Sequence, residues 1–310
     1  MKIVVTGALG YVGSALIRIL PVKFPKAQLI FLDNLSTGRL SALSGLPRKK
    51  YRFIRGDIRT FDFEKLGLEA GDCLIHLAGL SRPSESYARA KEFESVNTAG
   101  ALRCARACAK ASAFFFFPST TSVYSASSAK MIKDCSSYLL PQTPYAASKL
   151  KAEKGLARIR GLQYCTVRFG TIFGLAPVMS VQPAINKFCW QATQGEAITV
   201  WKTALHQWRP YLDLQDALGI IIFLIKTRNF KRKTYHAATA HASVSTITGK
   251  IRRLLPSLEI RKVEAKAMNH LSYKISVQAL GRLGFRFKGS LDRSIREMMI
   301  LMKQPLQFTK

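Results

Sequence analysis

A tyrosine and a lysine spaced as i and i+4, Tyr145 and Lys149, are residues whose types and spacing could do chemistry. On a helix that spacing puts both side chains on one face. A free phenol titrates near pH ~10. A neighbouring ammonium favours the phenolate and makes it a usable base closer to neutral pH. Such a pair is also common on ordinary surface helices. Here it follows Pro144 and comes about 25 residues after an apolar run that ends in Ser119 and Thr120, a placement that sets it apart from an ordinary surface pair.

A second constellation lies at the start of the chain. Thr6-Gly7-Ala8-Leu9-Gly10-Tyr11-Val12-Gly13 reads TGxxGxxG between the β-branched run 2–5 and a helical stretch over 11–20. In that context Gly7 permits the tight turn, Gly10 lets backbone approach a pyrophosphate, and Gly13 lets helix and strand pack closely. The helix N-terminus offers free N–H groups and partial positive charge to phosphate. The next apolar run, 28–32, ends at Asp33, where a carboxylate can hold ribose hydroxyls. Its charge would repel a 2′-phosphate, and Asn34, Leu35 and Ser36 follow it rather than an arginine. The expected cofactor is therefore NAD. Asp57, after a third apolar run, could cap the adenine amino group or serve simply as a turn residue.

The elements that must carry these groups alternate. Strands are predicted over 2–5, 28–32, 52–54, 73–77, 113–117 and 164–169. Helices are predicted over 11–20, stopped by Pro21 and Pro25, and over 99–110, 145–159 and 183–194, with a strand-turn and an apolar helix inside 212–225. Alternation of this kind implies an α/β fold, a doubly wound parallel Rossmann sheet covered on both faces, with a smaller C-terminal lobe. The expected division is 1–168 with 210–240 for the cofactor domain, and 169–209 with 241–310 for the substrate lobe.

The 310 residues are 48% hydrophobic, enough for a sizeable core and unlike a disordered chain. The apolar stretch 217–225 falls well short of the roughly 20 residues needed to cross a bilayer. No secretory leader is read in MKIVVTGALG, and none of the six cysteines forms a CxxC pair or a metal-ligand set with histidine. Free buried thiols and a cytoplasmic protein without a bound metal are expected. Forty-eight Lys and Arg against eighteen Asp and Glu give a formal charge of +30. Much of it can be solvated surface, but it would also speed encounters with a nucleotide sugar, a nucleic acid or an anionic lipid surface.

Taken together, TGALGYVGS, DNLSTG at 33–38, GDI at 56–58, HLAGL at 76–80, VN at 96–97, PSTTSVY at 118–124, PYAASK at 144–149 and YLDLQDA at 211–217 resemble the extended short-chain dehydrogenase/reductase family, in its NAD-dependent sugar epimerase/dehydratase branch. They run in family order over about the first 220 residues. The rest matches loosely, mainly at LGF, 283–285. The resemblance implies that Tyr145 is the acid/base, that Lys149 orients it and bonds the nicotinamide ribose, and that Thr120 hydrogen-bonds the reacting hydroxyl. It implies cofactor contacts from Gly7, Gly10, Tyr11, Val12, Gly13, Asp33, Asn34, Ser36, Thr37, Gly38, Asp57, Ile58, Leu77, Ala78, Gly79, Asn97 and Phe169. Substrate contacts are implied for Ser81, Thr120, Thr171 and Arg209, the last gripping a nucleotide diphosphate, for which a guanidinium fork is suited. A homodimer is also implied.

The chain departs from the family pattern at Thr171, where an asparagine is usual, at Pro210, where an acid follows the arginine, and at Ser125, where a glycine is usual. It also departs from the family's sugar 4,6-dehydratases, which carry an Asp-Glu pair where this chain has Thr121 and Ser122. Without those carboxylates nothing obvious protonates a leaving 6-hydroxyl. DNLSTG and HLAGL look most like UDP-hexose 4-epimerases, so the expected activity is NAD-dependent 4-epimerisation of a nucleotide sugar through a transient 4-keto sugar. The alternatives are an NAD(P)H-dependent nucleotide-sugar reductase and a Rossmann-fold protein recruited to bind RNA or an anionic surface.

Overall fold

Phe114 to Phe117 show why the central strands read as unbroken apolar runs. Successive side chains of a strand point to opposite faces, and both faces here are covered: Phe116 packs into one core cluster, Phe115 and Phe117 into another. The computed structural model describes residues 1–36, 39–124, 131–133, 139–264 and 272–303. Thr37, Gly38, Ser125 and Cys135 lie outside them. The elements run β1 (Lys2–Thr6), α1 (Tyr11–Lys23), β2 (Gln28–Asp33), β3 (Tyr51–Arg55), β4 (Cys73–His76), α2 (Ala90–Phe93), α3 (Ala101–Lys110), β5 (Phe114–Thr120), α4 (Pro144–Arg158), β6 (Gln163–Phe169), β7 (Thr171–Phe173), α5 (Ala184–Thr193), β8 (Ile198–Trp201), β9 (Arg209–Asp213), α6 (Leu214–Thr227), β10 (Lys233–Ala237), β11 (Ala240–Ala242), α7 (Val244–Leu254), β12 (Ile260–Val263), α8 (Gln278–Arg282) and α9 (Leu291–Lys303).

Seven strands form one parallel sheet in the order β10-β6-β5-β4-β1-β2-β3, the doubly wound Rossmann arrangement expected. The order reverses between β1 and β4, and ligands of such sheets bind in the crevice beyond the strand C-termini at that point. Helices α1 and α6 contribute to the core on one face, α3 and α4 to that on the other. Two local expectations change. Pro21 does not stop the first helix, which runs to Lys23; it costs the bond its own missing N–H would make to the carbonyl four residues back, and the helix ends two residues later. The helix expected from 99 is reached through a π-helical turn at Glu94–Gly100 that follows α2 directly.

The C-terminal lobe has its own core of Phe173, Ile185, Ile247, Ile295 and Met298, with small sheets β11-β9-β7 and β12-β8. Strand β9 pairs with β7 and β11 rather than joining the large sheet, while its Leu212 packs in the core of the large sheet. Leu280 of α8 also enters the Rossmann core. The two aspartates of YLDLQDA hold the C-terminal segment: Asp216 accepts from the amides of Lys288 and Gly289, and Asp213 accepts from Ser294 Oγ at 2.6 Å.

One buried ion pair fixes α4 against the sheet. Arg168 on β6 meets Glu153 on α4 through Nε–Oε1 at 3.0 Å and a second guanidinium nitrogen to Oε2 at 2.6 Å. Arg168 also donates to the Tyr124 hydroxyl, which lies 2.6 Å from His236 Nε2. Removing one partner of such a pair strands a buried charge. Glu153→Gln is expected to lower stability by about 3–5 kcal/mol, read from urea midpoints. Pairing it with Arg168→Met should cost less than the two single changes summed.

Candidate active site

The crevice begins where two backbones touch. Gly7 has φ +66°, and a Cβ there would lie 2.4 Å from the Ala78 amide nitrogen; a Cβ on Gly13 would lie 2.3 Å from the Gly7 carbonyl oxygen. Neither position has room for a side chain. The N-cap of α1 is Gly10, without a side-chain cap, and the first turn carries no acid. Nothing there competes with a phosphate for the helix N-terminus. Asp33 is buried at the end of β2, with one oxygen accepting from Leu9 N at 2.9 Å and the other from Leu35 N at 2.8 Å. Each oxygen keeps a lone pair for a hydroxyl. This donor and acceptor set fits a dinucleotide.

Asp57 is more heavily engaged than the sequence suggested. Arg59 binds both its carboxylate oxygens, at 2.9 and 2.7 Å, and Asn34 Nδ2 donates to it at 3.1 Å. The Arg59 hydrogen bonds hold the carboxyl far below the ordinary carboxylate range. Arg59 was missed because the arginine was sought directly after Asp33, whereas it reaches this corner from the end of β3. Its charge is matched by Asp57, which leaves the preference for NAD intact.

The glycine loop after β4 meets the catalytic helix. A Cβ on Gly79 would lie 3.0 Å from Asn97 Oδ1 and 3.8 Å from Lys149 Nζ. Asn97 is fully buried; it accepts from Leu80 N at 2.8 Å and donates to Leu80 O at 3.0 Å and to Ser148 Oγ at 3.2 Å. It thus braces the 77–80 loop against α4 from the π-helical turn. Ile58 and Phe169 commit their side chains to the core. Tyr11 Oη donates to Gly174 O at 2.5 Å and accepts from Asn186 Nδ2 at 3.1 Å, while Ser14 Oγ accepts from Val178 N at 3.1 Å. These bonds tie the phosphate-loop helix to the C-terminal lobe. Ser14 and Asn186 were not singled out, because their meaning lies in a contact across more than 160 positions of chain.

Thr143 caps α4 through its side chain, accepting from Ala146 N, and Pro144 opens the helix. That places Tyr145 in the first turn, edge-on to Phe93, in hydrogen-bond contact with Thr120. Burial raises the phenol's pKa, and the Thr120 bond partly offsets this. The Lys149 ammonium donates to Pro118 O at 3.0 Å and lies 4.8 Å from the Phe117 ring centroid. Burial lowers its pKa to about 8. Without a further positive charge, Tyr145 is a proton donor rather than a base at neutral pH.

Beside Thr120, Thr121 is held by Tyr273, whose hydroxyl donates to its carbonyl at 3.0 Å and lies 3.2 Å from its Oγ1. Arg209 opens β9 and lies close enough to Tyr211 and Tyr273 to influence both electrostatically; no hydrogen bond or ion pair among the described residues engages its guanidinium. Ser81 and Thr171 are exposed, the one after the 77–80 loop and the other at the start of β7.

Residues 3–238 match the family model described as the NAD dependent epimerase/dehydratase family. The chain belongs to that family. The family is described as NAD dependent. It is 26% identical, over 96% of its length, to a trifunctional UDP-glucose 4,6-dehydratase/UDP-4-keto-6-deoxy-D-glucose 3,5-epimerase/UDP-4-keto-L-rhamnose-reductase of Arabidopsis thaliana, of which it spans 46%. The chain therefore covers about half the length of that relative. An uncharacterized UDP-glucose epimerase of Bacillus subtilis is 29% identical, over 89% of this chain and 86% of that protein. Among solved structures, the UDP-glucuronic acid 4-epimerase of Bacillus cereus, crystallised with UDP-glucuronic acid and NAD, superposes with a TM-score of 0.85 at 20% identity, covering 98% of this chain and 99% of that one. At that identity the likeness establishes the fold.

Buried groups give this family member's stability opposite pH slopes at the two ends of the scale. Burial, with the Lys149 charge behind it, lowers His76 from 6.5 to about 3, so between those values the unfolded chain binds a proton that the folded chain does not, and stability rises with pH. Urea midpoints should climb from about pH 3 to 6.5. Above about pH 9 the thiols of Cys73, Cys104, Cys108, Cys165 and Cys189, pushed up by burial, keep protons that the unfolded chain gives up, and midpoints should fall. Lys149, lowered by burial from 10.5 to about 8, opposes that fall, so Lys149→Met should steepen it while leaving the acid limb unchanged.

Proposed function

We propose that the chain is an NAD-dependent nucleotide-sugar 4-epimerase, with a uridine diphosphate sugar as its first-choice substrate. The observation that carries this reading is the pairing of Thr120 with Tyr145 at the switch-point crevice, next to a Thr121 held by Tyr273 where a dehydratase of the family would carry an acid. A hydroxyl and a phenol can move one proton at a sugar C4 hydroxyl. They offer no second acid for a leaving group at C6.

In this mechanism the Thr120 hydroxyl holds the C4 oxygen while Tyr145 Oη takes its proton. NAD, when bound, supplies the hydride acceptor and donor at C4 and the positive charge that favours phenolate. Lys149, anchored on Pro118 O, stands on the same helix face to bind the nicotinamide ribose and keep that charge pattern fixed. The 4-keto sugar turns over, and Tyr145 returns its proton to the C4 oxygen on the way back. Arg209 holds the diphosphate, so the reacting end can turn without leaving. Similarity to a UDP-glucose epimerase over most of both chains supports the substrate class.

The test is product analysis by NMR after incubating purified protein with UDP-glucose, UDP-N-acetylglucosamine or UDP-glucuronate. The expected result is the C4 epimer of at least one, without net consumption of reduced nicotinamide. Tyr145→Phe should lower kcat by about 10²–10⁴ with little change in substrate affinity. A 4-keto-6-deoxy product, or dependence on added NAD(P)H, would overturn the reading.

A further inference from the structure

All seven strands of the large sheet are parallel, so their N-terminal ends and the turns that feed them lie at one pole, opposite the crevice. Cations gather there. At the β6–β10 edge, Arg158 and Arg160 follow α4, Lys226 and Arg228 close α6, and Lys231 and Lys233 lead into β10; all six are exposed. Arg232 joins the two loops, with its guanidinium donating to the carbonyls of Ala157 at 2.7 Å, Ile159 at 3.1 Å and Leu162 at 3.0 Å. The two cationic turns are therefore held side by side.

No acid answers them locally. The sequence has no Asp or Glu at 154–195 or at 217–258, and among the described residues none of the six makes an ion pair. Cations in the last turn of α4 and α6 complement the helix dipoles, but Arg160, Lys231 and Lys233 lie beyond those turns. Arg228 has φ +48°, a left-handed conformation at a helix end that ordinarily favours glycine. Across the same pole, at the β2 and β3 side, stand exposed Lys23, Lys26 and Arg48–Lys50. The outer strands of a seven-stranded sheet are about 30 Å apart.

We infer that this pole is a docking surface for an anionic membrane. Between the two cationic edges the acids Glu64 and Glu69 are matched by Lys110 and Lys2, so the pole as a whole presents positive charge to an anionic plane, and Val22, 73% exposed, and Met1, 49% exposed, stand among its lysines as apolar groups that can enter the headgroup layer. The chain's exposed tryptophans, Trp190, Trp201 and Trp208, all belong to the other lobe, so the pole lacks the aromatic platforms on which single-stranded bases stack. Docked this way, the protein turns its crevice away from the lipid and leaves it open to a soluble substrate.

Co-flotation of the full chain with vesicles of phosphatidylcholine and phosphatidylserine, about 70:30, tests this. Binding is expected at low salt, with loss at about 0.5 M salt and no binding to phosphatidylcholine alone. Replacing Arg158, Arg160, Lys231 and Lys233 by Gln should weaken it by nearly three orders of magnitude, since each cation near such a surface is worth roughly fivefold. A matched set on the other lobe, Arg252, Arg253, Arg261 and Lys262 to Gln, should change it less than about twofold. Circular dichroism checks that both sets fold. Equal loss from the two sets, or tighter binding to duplex RNA than to vesicles of equal phosphate, would overturn the inference.

Discussion

The structure depends on a contact between two stretches of backbone. At the ends of β1 and β4, Gly7 approaches Leu77 and Ala78 so closely that a single carbon atom could not be inserted, and Gly13 is packed as tightly against Gly7 and Ala8. This brings the start of α1, the acidic end of β2 and the loop after β4 to one point. It also makes the amides of α1 a phosphate cradle. The same contact carries outward: Asp33 ties β2 to the turn through Leu9, and Tyr11 and Ser14 tie α1 to the second lobe. Cofactor cradle and substrate lobe are therefore braced against the same helix.

Helix α4 is the other fixed point, and electrostatics hold it. Its Glu153 and Lys149 lie one turn apart in a water-poor layer against β5 and β6. Glu153 is matched bidentately by Arg168, while Lys149 has a carbonyl and an aromatic face. Burial disfavours the charged ammonium, and with no acid bonded to it the pKa falls to about 8. Glu153 works in the opposite direction and keeps it from falling further. The consequence for Tyr145 is that burial prevails over the one helpful hydroxyl, so the phenol holds its proton until positive charge is added nearby.

The charge excess has a similar logic of placement. At the crevice, basic residues are paired or few: Arg59 is spent on Asp57, and Lys149 is buried. At the opposite pole the turns beside β6 and β10 are cationic and carry no acid, while Glu64, Glu69 and Asp72 ahead of β4 are matched by Lys110 and Lys2. A formal charge of +30 spread evenly would say little, but a sheet whose strands all run one way sorts its loops into two poles and gives each its own charge.

Much was legible in the sequence because it depends on local pattern. The strand–turn–helix glycines, the apolar runs of β1, β2, β4, β5 and β6, and the Tyr145–Lys149 spacing on a capped helix are all set by neighbours a few residues apart. Most boundaries moved by a residue or two, and the ends of α1 and β5 by three. Pro21 was misread because a proline's effect depends on where in the helix it falls. What tertiary structure alone decided were contacts between distant positions. These include Arg59 on Asp57, Asn97 bracing Leu80 and Ser148, Tyr273 occupying Thr121, and the anchoring of Lys149 to Pro118. The sequence by itself determined which side chains are available for proton and phosphate chemistry. The fold decided which of them are desolvated, which are already partnered and therefore which carry a shifted pKa, because burial and pairing depend on segments that meet only when the chain is folded.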